Sequence, residues 1–333
     1  MRLFSTCPPS SAFSEGYRQR VAEVARWSER AGCEGVLVYT DNGLLDPWLV
    51  SQLVLEETET LAPLVAVQPV YLHPYAVAKM VASLTRLHGR RVHLNLVSGG
   101  FRNDLRALGD ATPHDRRYDR LIEYATIVQG LLAGAEPVTL EGDFYRVDKL
   151  KLTPAVPEEL RGDVFVSGSS EAGLGAARAL GALAVRYPRP AAEEEGFPGD
   201  GVRTGIRVGI VARRAEEEAW QAAHERFPGD RRGQLTHQLA MKVSDSVWHR
   251  QLSEMAGQPG GSPYWLFPFE NYQTMCPYLV GSYGRVGEEL GRYLALGAQA
   301  FILDVPPDEE ELWHTREAFA ASLAAAGAGA AAP

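Results

Sequence analysis

Residues 61–100, LAPLVAVQPVYLHPYAVAKMVASLTRLHGRRVHLNLVSGG, contain a complete β-α-β unit. An apolar run at residues 61–69 predicts a buried strand, and a second one at residues 92–97 predicts another. Between them, Pro74 begins a helical pattern that continues to His88. Strands that alternate with crossover helices lie parallel in one sheet, so this stretch predicts an α/β fold.

The same alternation continues along the rest of the chain. Six further strands are predicted, at residues 2–7, 35–39, 163–167, 182–187, 205–212 and 299–305. Eight strands alternating with helices predict one (β/α)8 barrel, also called a TIM barrel, with insertion loops at the C-terminal face of its strands. This single domain is predicted to span residues 1–320, and an Ala- and Gly-rich tail, residues 321–333, is expected to fray.

Several segments depart from this rhythm. Residues 142–147 predict a β-excursion outside the barrel, and residues 188–203 predict an exposed loop. Residues 227–283 are long and mixed, which is typical of a functional lid or of disorder. Within that segment the Pro and Gly neighbours of a group of aromatic residues favour a lid over regular core; the group is Tyr264, Trp265, Phe267, Phe269 and Tyr272.

Composition excludes several classes of protein. The net charge of −9 disfavours a protein that binds the phosphate backbone of nucleic acids or an anionic membrane surface. No apolar run is long enough to span a bilayer, and the N-terminus lacks the apolar core of a signal peptide. The three cysteines form no CxxC pair, which favours a reducing cytoplasm over a disulfide framework or structural zinc.

Two motifs could bind a phosphate. In the first, a predicted strand ends in Gly168-Ser169-Ser170 and a helix follows, so that free N–H groups and two hydroxyls lie at a helix N-terminus. In the second, Thr112-Pro113-His114-Asp115 predicts a helix start with Thr112 as N-cap, and places His114 and Tyr118 on one helix face. Taken alone, the first is also compatible with a plain N-cap serine and the second with a solvated, charged helix start.

Other polar residues lie where barrel strands are predicted to end, which is where the active sites of such barrels lie. Gln68, Tyr187 and Arg207 are in this group. Whether Arg207 points into the barrel stays open, because strand side chains alternate between the two faces. No trio of His and carboxylates shows metal-ligand spacing, so no metal site is predicted.

Together, these motifs resemble the bacterial luciferase-like flavin-dependent monooxygenase family, and most closely its alkanesulfonate monooxygenase branch. The resemblance covers nearly the whole chain and depends on the order and spacing of its motifs. Those motifs are DPWLV at 46–50, LVAVQP at 64–69, NLVSG at 95–99, HDRRY at 114–118, GSS at 168–170, GIR at 205–207, EAWQAA at 218–223 and LVG at 279–281, followed by the helix and strand of residues 293–304.

The resemblance implies a two-component enzyme that receives FMNH2 from a separate flavin reductase and uses O2 as co-substrate. The flavin would activate O2 as a C4a-(hydro)peroxide and oxygenate a small organic substrate. The flavin phosphate would be held by His114, Tyr118, Gly168, Ser169 and Ser170, and the flavin ring would lie near Gln68 and Asn95. Arg207 and Tyr187 would be the catalytic residues, and the family suggests a homo-oligomer, a dimer or tetramer.

The substrate side departs from the sulfonate enzymes. Their Cys after strand 2, Trp after strand 6, His on strand 7 and lid Arg correspond here to Leu44, Tyr187, Gly209 and Tyr272, and only the strand-7 Arg is retained. A less cationic, more aromatic pocket is predicted, suited to a biosynthetic intermediate rather than a simple alkanesulfonate. Two other functions remain open, namely a deazaflavin-dependent oxidoreductase on the same barrel and a non-catalytic flavin-binding protein.

Overall fold

The computed structural model describes residues 1–13, 15–194, 196–197, 201–255 and 262–330. Its strands are β1 (Arg2–Thr6), β2 (Gly35–Val38), β3 (Ala62–Val67), β4 (His93–Val97), β5 (Val138–Glu141), β6 (Arg146–Leu150), β7 (Val164–Ser167), β8 (Leu183–Arg186), β9 (Thr204–Arg213), β10 (Tyr264–Trp265), β11 (Tyr278–Ser282) and β12 (Ala298–Leu303).

The α-helices alternate with these strands. They are α1 (Tyr17–Arg30), α2 (Pro47–Glu57), α3 (Pro74–His88), α4 (Arg102–Ala107), α5 (His114–Ala133), α6 (Glu171–Ala179), α7 (Glu216–Arg226), α8 (Arg231–Val243), α9 (Val247–Met255), α10 (Phe267–Glu270), α11 (Tyr283–Ala295) and α12 (Glu309–Ala330).

Eight parallel strands close into a barrel in the order β1-β2-β3-β4-β7-β8-β9-β12, with β12 paired to β1. The prediction of a (β/α)8 barrel is therefore confirmed. Strand β9 is longer than the others: its first half pairs with β8 and β12, and its second half pairs with β11. The residues of β11 were recognised as a motif but not predicted as a strand.

Local signals place the helix ends. Helices α2 and α3 both begin with proline, which needs no N–H partner in the first turn, and Asp46 accepts the N–H groups of Trp48 and Leu49. Helix α3 ends at Gly89, whose φ of +65° is the left-handed conformation that glycine adopts without strain.

The predicted start of α5 was wrong by one residue. The helix begins at His114 with Pro113 as its N-cap, and no side chain caps it. Thr112 does not cap the helix because both its N–H and its hydroxyl donate to the Asp110 carboxylate, at 3.1 and 2.6 Å. This shift places His114 in the first helical position, one turn before Tyr118.

Two additions lie outside the barrel. Strands β5 and β6 form a separate antiparallel hairpin outside the barrel, in which residues 142–145 of the predicted excursion are the turn, and Glu123 accepts the N–H groups of three residues of that turn. The tail was expected to fray, but α12 continues to Ala330, beyond which residues 331–333 lie outside the described part. Among the described helices, none is long and apolar enough to cross a membrane.

The barrel interior is a packed core at its N-terminal end. One cluster of buried apolar side chains from six of the eight strands fills it: Phe4, Leu37, Leu64, Phe165, Leu183, Val185, Ala300 and Ile302. The strand side chains on the opposite face pack against the surrounding helices in separate clusters. Side chains two residues further along each strand from this core must point inward again, at the C-terminal end of the barrel.

A buried histidine lies beneath this core. His93 on β4 is fully buried, its Nδ1 accepts the N–H of Asp163 at 2.9 Å, and its Nε2 lies 3.5 Å from the Glu34 carboxylate. Burial and the positive charge of Arg2 lower the pKa of His93 to about 4, against the opposing effect of Glu34. Neutral His93 is therefore the form that this end of the barrel stabilises.

Stability is expected to decrease as the pH falls from about 6.5 toward 4. The unfolded chain binds more protons in this window than the folded chain does, so folding loses up to about 3 kcal/mol from this one group. His249, whose pKa burial also lowers to about 4, acts in the same direction. Urea unfolding of the wild type and of His93→Asn at a series of pH values isolates the His93 contribution, and equal pH slopes would contradict it.

Candidate functional site

A large cavity opens at the C-terminal ends of the barrel strands. Its volume is about 710 Å³, within the range of roughly 300–1,000 Å³ typical of small-molecule sites. Every residue predicted for the site lines it: Gln68, Asn95, His114, Tyr118, Gly168, Ser169, Ser170, Tyr187 and Arg207. The structure therefore brings together residues from four predicted strands, from the turn that follows a fifth and from one helix.

Strand register explains why these side chains meet. The four that belong to predicted strands, Gln68, Asn95, Tyr187 and Arg207, each lie two residues after another inward-facing residue, so they point into the barrel. Ser167 follows Phe165, and Tyr187 follows Val185. The same register places Arg207 inward and so resolves its open orientation. It also places Tyr39 after Leu37 and Asp304 after Ile302, two cavity residues that sequence reasoning missed although this periodicity could have found them.

The two serine hydroxyls of the Gly168–Ser170 turn differ in their hydrogen bonding. Ser170 is the N-cap of α6, where its hydroxyl oxygen accepts the N–H of Gly173 at 3.1 Å. The plain N-cap interpretation is therefore correct for Ser170. The Ser169 hydroxyl is buried and has no hydrogen-bond partner among the described residues, so it remains available to a ligand at the helix N-terminus.

The first turn of α5 faces this turn across the cavity. A Cβ atom at residue 168 would lie 2.4 Å from the Tyr118 hydroxyl, so only glycine allows that hydroxyl to approach so closely. The His114 ring packs edge-on to Tyr118, with centroids 5.4 Å apart. Nδ1 of His114 lies 2.8 Å from the Asp115 carboxylate, which leaves its Nε2 for a ligand. Two distant motifs thus converge on one polar corner, which we call the phosphate corner (His114, Tyr118, Gly168, Ser169 and Ser170).

Two amide side chains also line the cavity. Asn95 on β4 is held by Ser167, whose hydroxyl donates to its Oδ1 at 2.8 Å. Gln68, after β3, is buried, and its side chain makes no hydrogen bond within the described part of the chain. The orphaned Ser169 hydroxyl, the glycine cradle and the free Gln68 amide fit a phosphate-bearing ligand with a polar ring system, as FMN is.

The opposite end of the cavity combines charge with aromatic rings. Arg207 lies with its guanidinium carbon 5.9 Å from the Tyr39 ring centroid, and one of its nitrogens is 4.0 Å from the Asp304 carboxylate. Burial alone would lower the pKa of Arg207, but Tyr187 and Asp304 raise it, so the guanidinium stays charged. Burial raises the pKa of Tyr187 above its ordinary value, so its hydroxyl stays protonated and can donate.

Residues 244–249 form a continuous part of the cavity wall, and we call this segment the lid. Trp248 stacks on Tyr187 with ring centroids 3.9 Å apart and planes 12° from parallel. The lid is attached beside the phosphate corner, because Arg117 of α5 makes an ion pair with Asp245 and donates to the Gly99 carbonyl. Sequence reasoning missed Arg117, Asp245 and Trp248, since no motif links residues that are so far apart in the chain.

The predicted aromatic lid was wrong for four of its five members. Trp265 stacks on Phe267, Phe269 is fully buried, and Tyr264 and Trp265 pack against the core around α7. Of the five, Tyr272 alone lines the cavity. Residues 256–261 of the same long segment lie outside the described part of the chain. The aromatic side chains are core because β10 pairs with β11 and extends the sheet beyond β9.

The departures from the sulfonate enzymes lie on the cavity wall. Leu44, Tyr187 and Tyr272 all line it. Gly209 cannot carry a side chain here, because a Cβ atom would fall 2.2 Å from the Tyr278 ring, and Tyr278 itself lines the cavity. Within the described residues, no group of three or more His, Cys, Asp or Glu side chains could hold a metal ion.

Comparison with known proteins identifies the family. The model of the family described as luciferase-like monooxygenase matches residues 1–300. The chain belongs to the luciferase-like monooxygenase family. It is also 34% identical over 307 residues to 4-(gamma-L-glutamylamino)butanoyl-[BtrI acyl-carrier protein] monooxygenase BtrO of Niallia circulans, covering 90% of this chain and 89% of that protein. The family and this relative make the protein a flavin-dependent monooxygenase.

Solved structures of other proteins share the fold. Riboflavin lyase RcaE, solved with modified FMN and riboflavin, aligns with a TM-score of 0.74 at 18% identity, over 100% of this chain and 92% of its own. EDTA monooxygenase EmoA from Chelativorans sp. BNC1 aligns with a TM-score of 0.72 at 18% identity, over 97% and 93%. These comparisons show the family and not its alkanesulfonate monooxygenase branch.

Proposed function

We propose that the protein uses reduced FMN and O2 to oxygenate a small organic biosynthetic intermediate, and that a separate flavin reductase supplies the FMNH2 in the cytoplasm. The observation that carries this proposal is the phosphate corner, where the unpartnered Ser169 hydroxyl meets His114 and Tyr118. A helix N-terminus and a histidine are well suited to a phosphate dianion. As in other family members, we expect the chain to self-associate.

When bound, reduced FMN would supply the two electrons and carry the activated oxygen, and the chain's own residues do the rest. The phosphate corner fixes one end of the cofactor, and Gln68 and Asn95 are placed to contact its ring. The lid stacks Trp248 on Tyr187 and so excludes water from the far end of the cavity. Arg207 and Tyr187 then provide a fixed cation and a protonated hydroxyl on the cavity wall where the substrate would bind.

The substrate differs from a simple alkanesulfonate in this proposal. Arg207 faces the Asp304 carboxylate, and rings of Tyr39, Tyr187 and Tyr272 line the wall. The relative BtrO is named for an amino-acid amide carried on an acyl-carrier protein. That name supports a polar biosynthetic intermediate as the substrate, presented either free or as a carrier thioester.

The test measures oxygen uptake with chemically reduced FMN. The purified protein is given an N-acetylcysteamine thioester of 4-(γ-L-glutamylamino)butanoate, or short alkanesulfonates, and products are analysed by mass spectrometry and sulfite release. We expect an added oxygen atom in a thioester product and no rapid desulfonation. Rapid sulfite release would overturn the substrate assignment.

The same assay addresses a second candidate. Some proteins of this fold are named as F420-dependent enzymes, among them a secondary alcohol dehydrogenase that aligns with a TM-score of 0.64. Substrate turnover with reduced F420 and without oxygen uptake would favour a deazaflavin-dependent oxidoreductase. Tight FMN binding with no oxygen uptake beyond that of free FMNH2 on either kind of substrate would favour a non-catalytic flavin-binding protein.

A further inference from the structure

Two opposite charges lie side by side at the end of the cavity away from the phosphate corner. Arg207 on β9 and Asp304 after β12 come from neighbouring strands, whose register pairs Ile302 with Arg207. Their side chains are only 12% and 13% exposed, and both line the cavity. Both are therefore largely buried charged groups that border the cavity.

The two groups face each other without a hydrogen bond between them. The Arg207 nitrogen and the Asp304 oxygen Oδ1 are 4.0 Å apart, beyond the 2.7–3.2 Å typical of hydrogen bonds between nitrogen and oxygen. Nε of Arg207 is buried and has no partner within the described residues. Buried charges are stable only when they are paired and hydrogen-bonded, so this loose pair has unused capacity on both members.

The carboxylate is held in place from its other side. Oδ2 of Asp304 accepts the Tyr278 hydroxyl at 2.8 Å, and Arg226 donates to the same hydroxyl at 3.3 Å. The Tyr278 ring fills the space that a side chain at residue 209 would need. Gly209 and Tyr278 thus fix Asp304 and leave its Oδ1 toward Arg207.

We propose that this pair recognises the α-amino-acid end of the substrate, with the carboxylate on Arg207 and the ammonium on Asp304. An α-amino acid carries both charges on adjacent atoms, so one ligand can satisfy both buried groups at once. A monoanion such as a sulfonate would satisfy Arg207 but would add its charge beside the Asp304 carboxylate. This inference rests on the proposed function, because it names the class of substrate that the monooxygenase takes.

Binding to the flavin-free protein tests the pair without any turnover. Three matched probes share one aliphatic tail: L-norvaline carries both charges, pentanoate lacks the ammonium, and butylamine lacks the carboxylate. Saturation-transfer NMR titrations at millimolar concentrations should show L-norvaline binding at least about 10-fold more tightly than either of the other probes. Equal binding of pentanoate and L-norvaline, or no binding of L-norvaline, would overturn the proposal.

Variants then assign each charge. Asp304→Asn keeps an acceptor for the Tyr278 hydroxyl but removes the negative charge, so it should eliminate the preference for L-norvaline over pentanoate. Arg207→Met should eliminate the preference over butylamine, and Arg207→Lys should retain part of it. Asp41→Asn removes a carboxylate from the cavity wall outside this pair and should leave the selectivity unchanged.

Two further measurements keep the conclusions separate. Thermal unfolding of each variant shows whether it is folded. If Arg207→Met is not folded, the probe selectivity of Asp304→Asn alone tests the proposal. FMN binding is measured in parallel on the wild type. If FMN binds but the three probes are not distinguished, the amino-acid inference fails and the flavin proposal stands, whereas probe selectivity without FMN binding would mean the reverse.

Discussion

Arg117→Met is expected to lower the free energy of unfolding by about 3 kcal/mol, because it removes one partner of a buried ion pair. Arg117 is only 2% exposed and contacts both the Asp245 carboxylate and the Gly99 carbonyl. Without the guanidinium, Asp245 is left as a largely buried charge with no cation. Chemical denaturation of the wild type and the variant measures the loss.

The neighbouring residue provides a matched control. Arg116 is 48% exposed, and its pairs with Asp119 and Asp143 lie on the surface, so Arg116→Met should change stability little. Adding Asp245→Asn to Arg117→Met should recover part of the loss, because a neutral amide replaces the unpaired charge. Equal and small effects of the two arginine variants would contradict this role for Arg117.

Arg117→Met should also displace the lid from the cavity wall. Asp245 precedes α9 by two residues, and Trp248 in the first turn of that helix stacks on Tyr187. Loss of the ion pair is therefore expected to separate the two rings and change Trp248 fluorescence in the folded protein. The Arg116→Met spectrum should match that of the wild type.

Ser169→Asp is expected to weaken FMN binding at least about 100-fold, equivalent to nearly 3 kcal/mol. The substitution replaces the unpartnered hydroxyl by a carboxylate that would face the phosphate dianion. Riboflavin has no phosphate, so its affinity should change much less. Fluorescence titrations with the two flavins provide the comparison.

A neutral substitution separates charge from shape at this corner. Ser169→Asn introduces a side chain of similar size to aspartate that can still donate a hydrogen bond, and it should retain far more FMN affinity than Ser169→Asp. If the aspartate variant lost affinity for FMN and riboflavin equally, the phosphate would have to bind elsewhere in the cavity.

Much of the fold could be predicted because its signals are local. Pro47 and Pro74 mark the first residues of two helices, and Gly89 marks the end of one. All eight barrel strands coincide with predicted apolar runs. The start of α5 was displaced because Asp110, two residues before Thr112, competed for its hydroxyl. The aromatic lid was wrong because pairing of β10 with β11 turned those side chains into core.

The site could be predicted only in part. His114, Tyr118 and the Gly168–Ser170 turn were each recognisable as possible anion sites, and the resemblance to the family joined them. Tyr39 and Asp304 were missed although the period-two pattern of their strands contains them. Arg117 and Asp245 carry no such pattern, since 128 residues separate them.

By itself, the sequence determined the alternation of strands and helices, the helix starts set by proline and the residue types available at each strand end. Local backbone preferences and apolar periodicity suffice for these. Only the tertiary structure decided which strand ends meet, which way Arg207 points and which segment forms the lid. Those outcomes depend on strand register around a closed barrel and on contacts between distant segments, which no local pattern encodes.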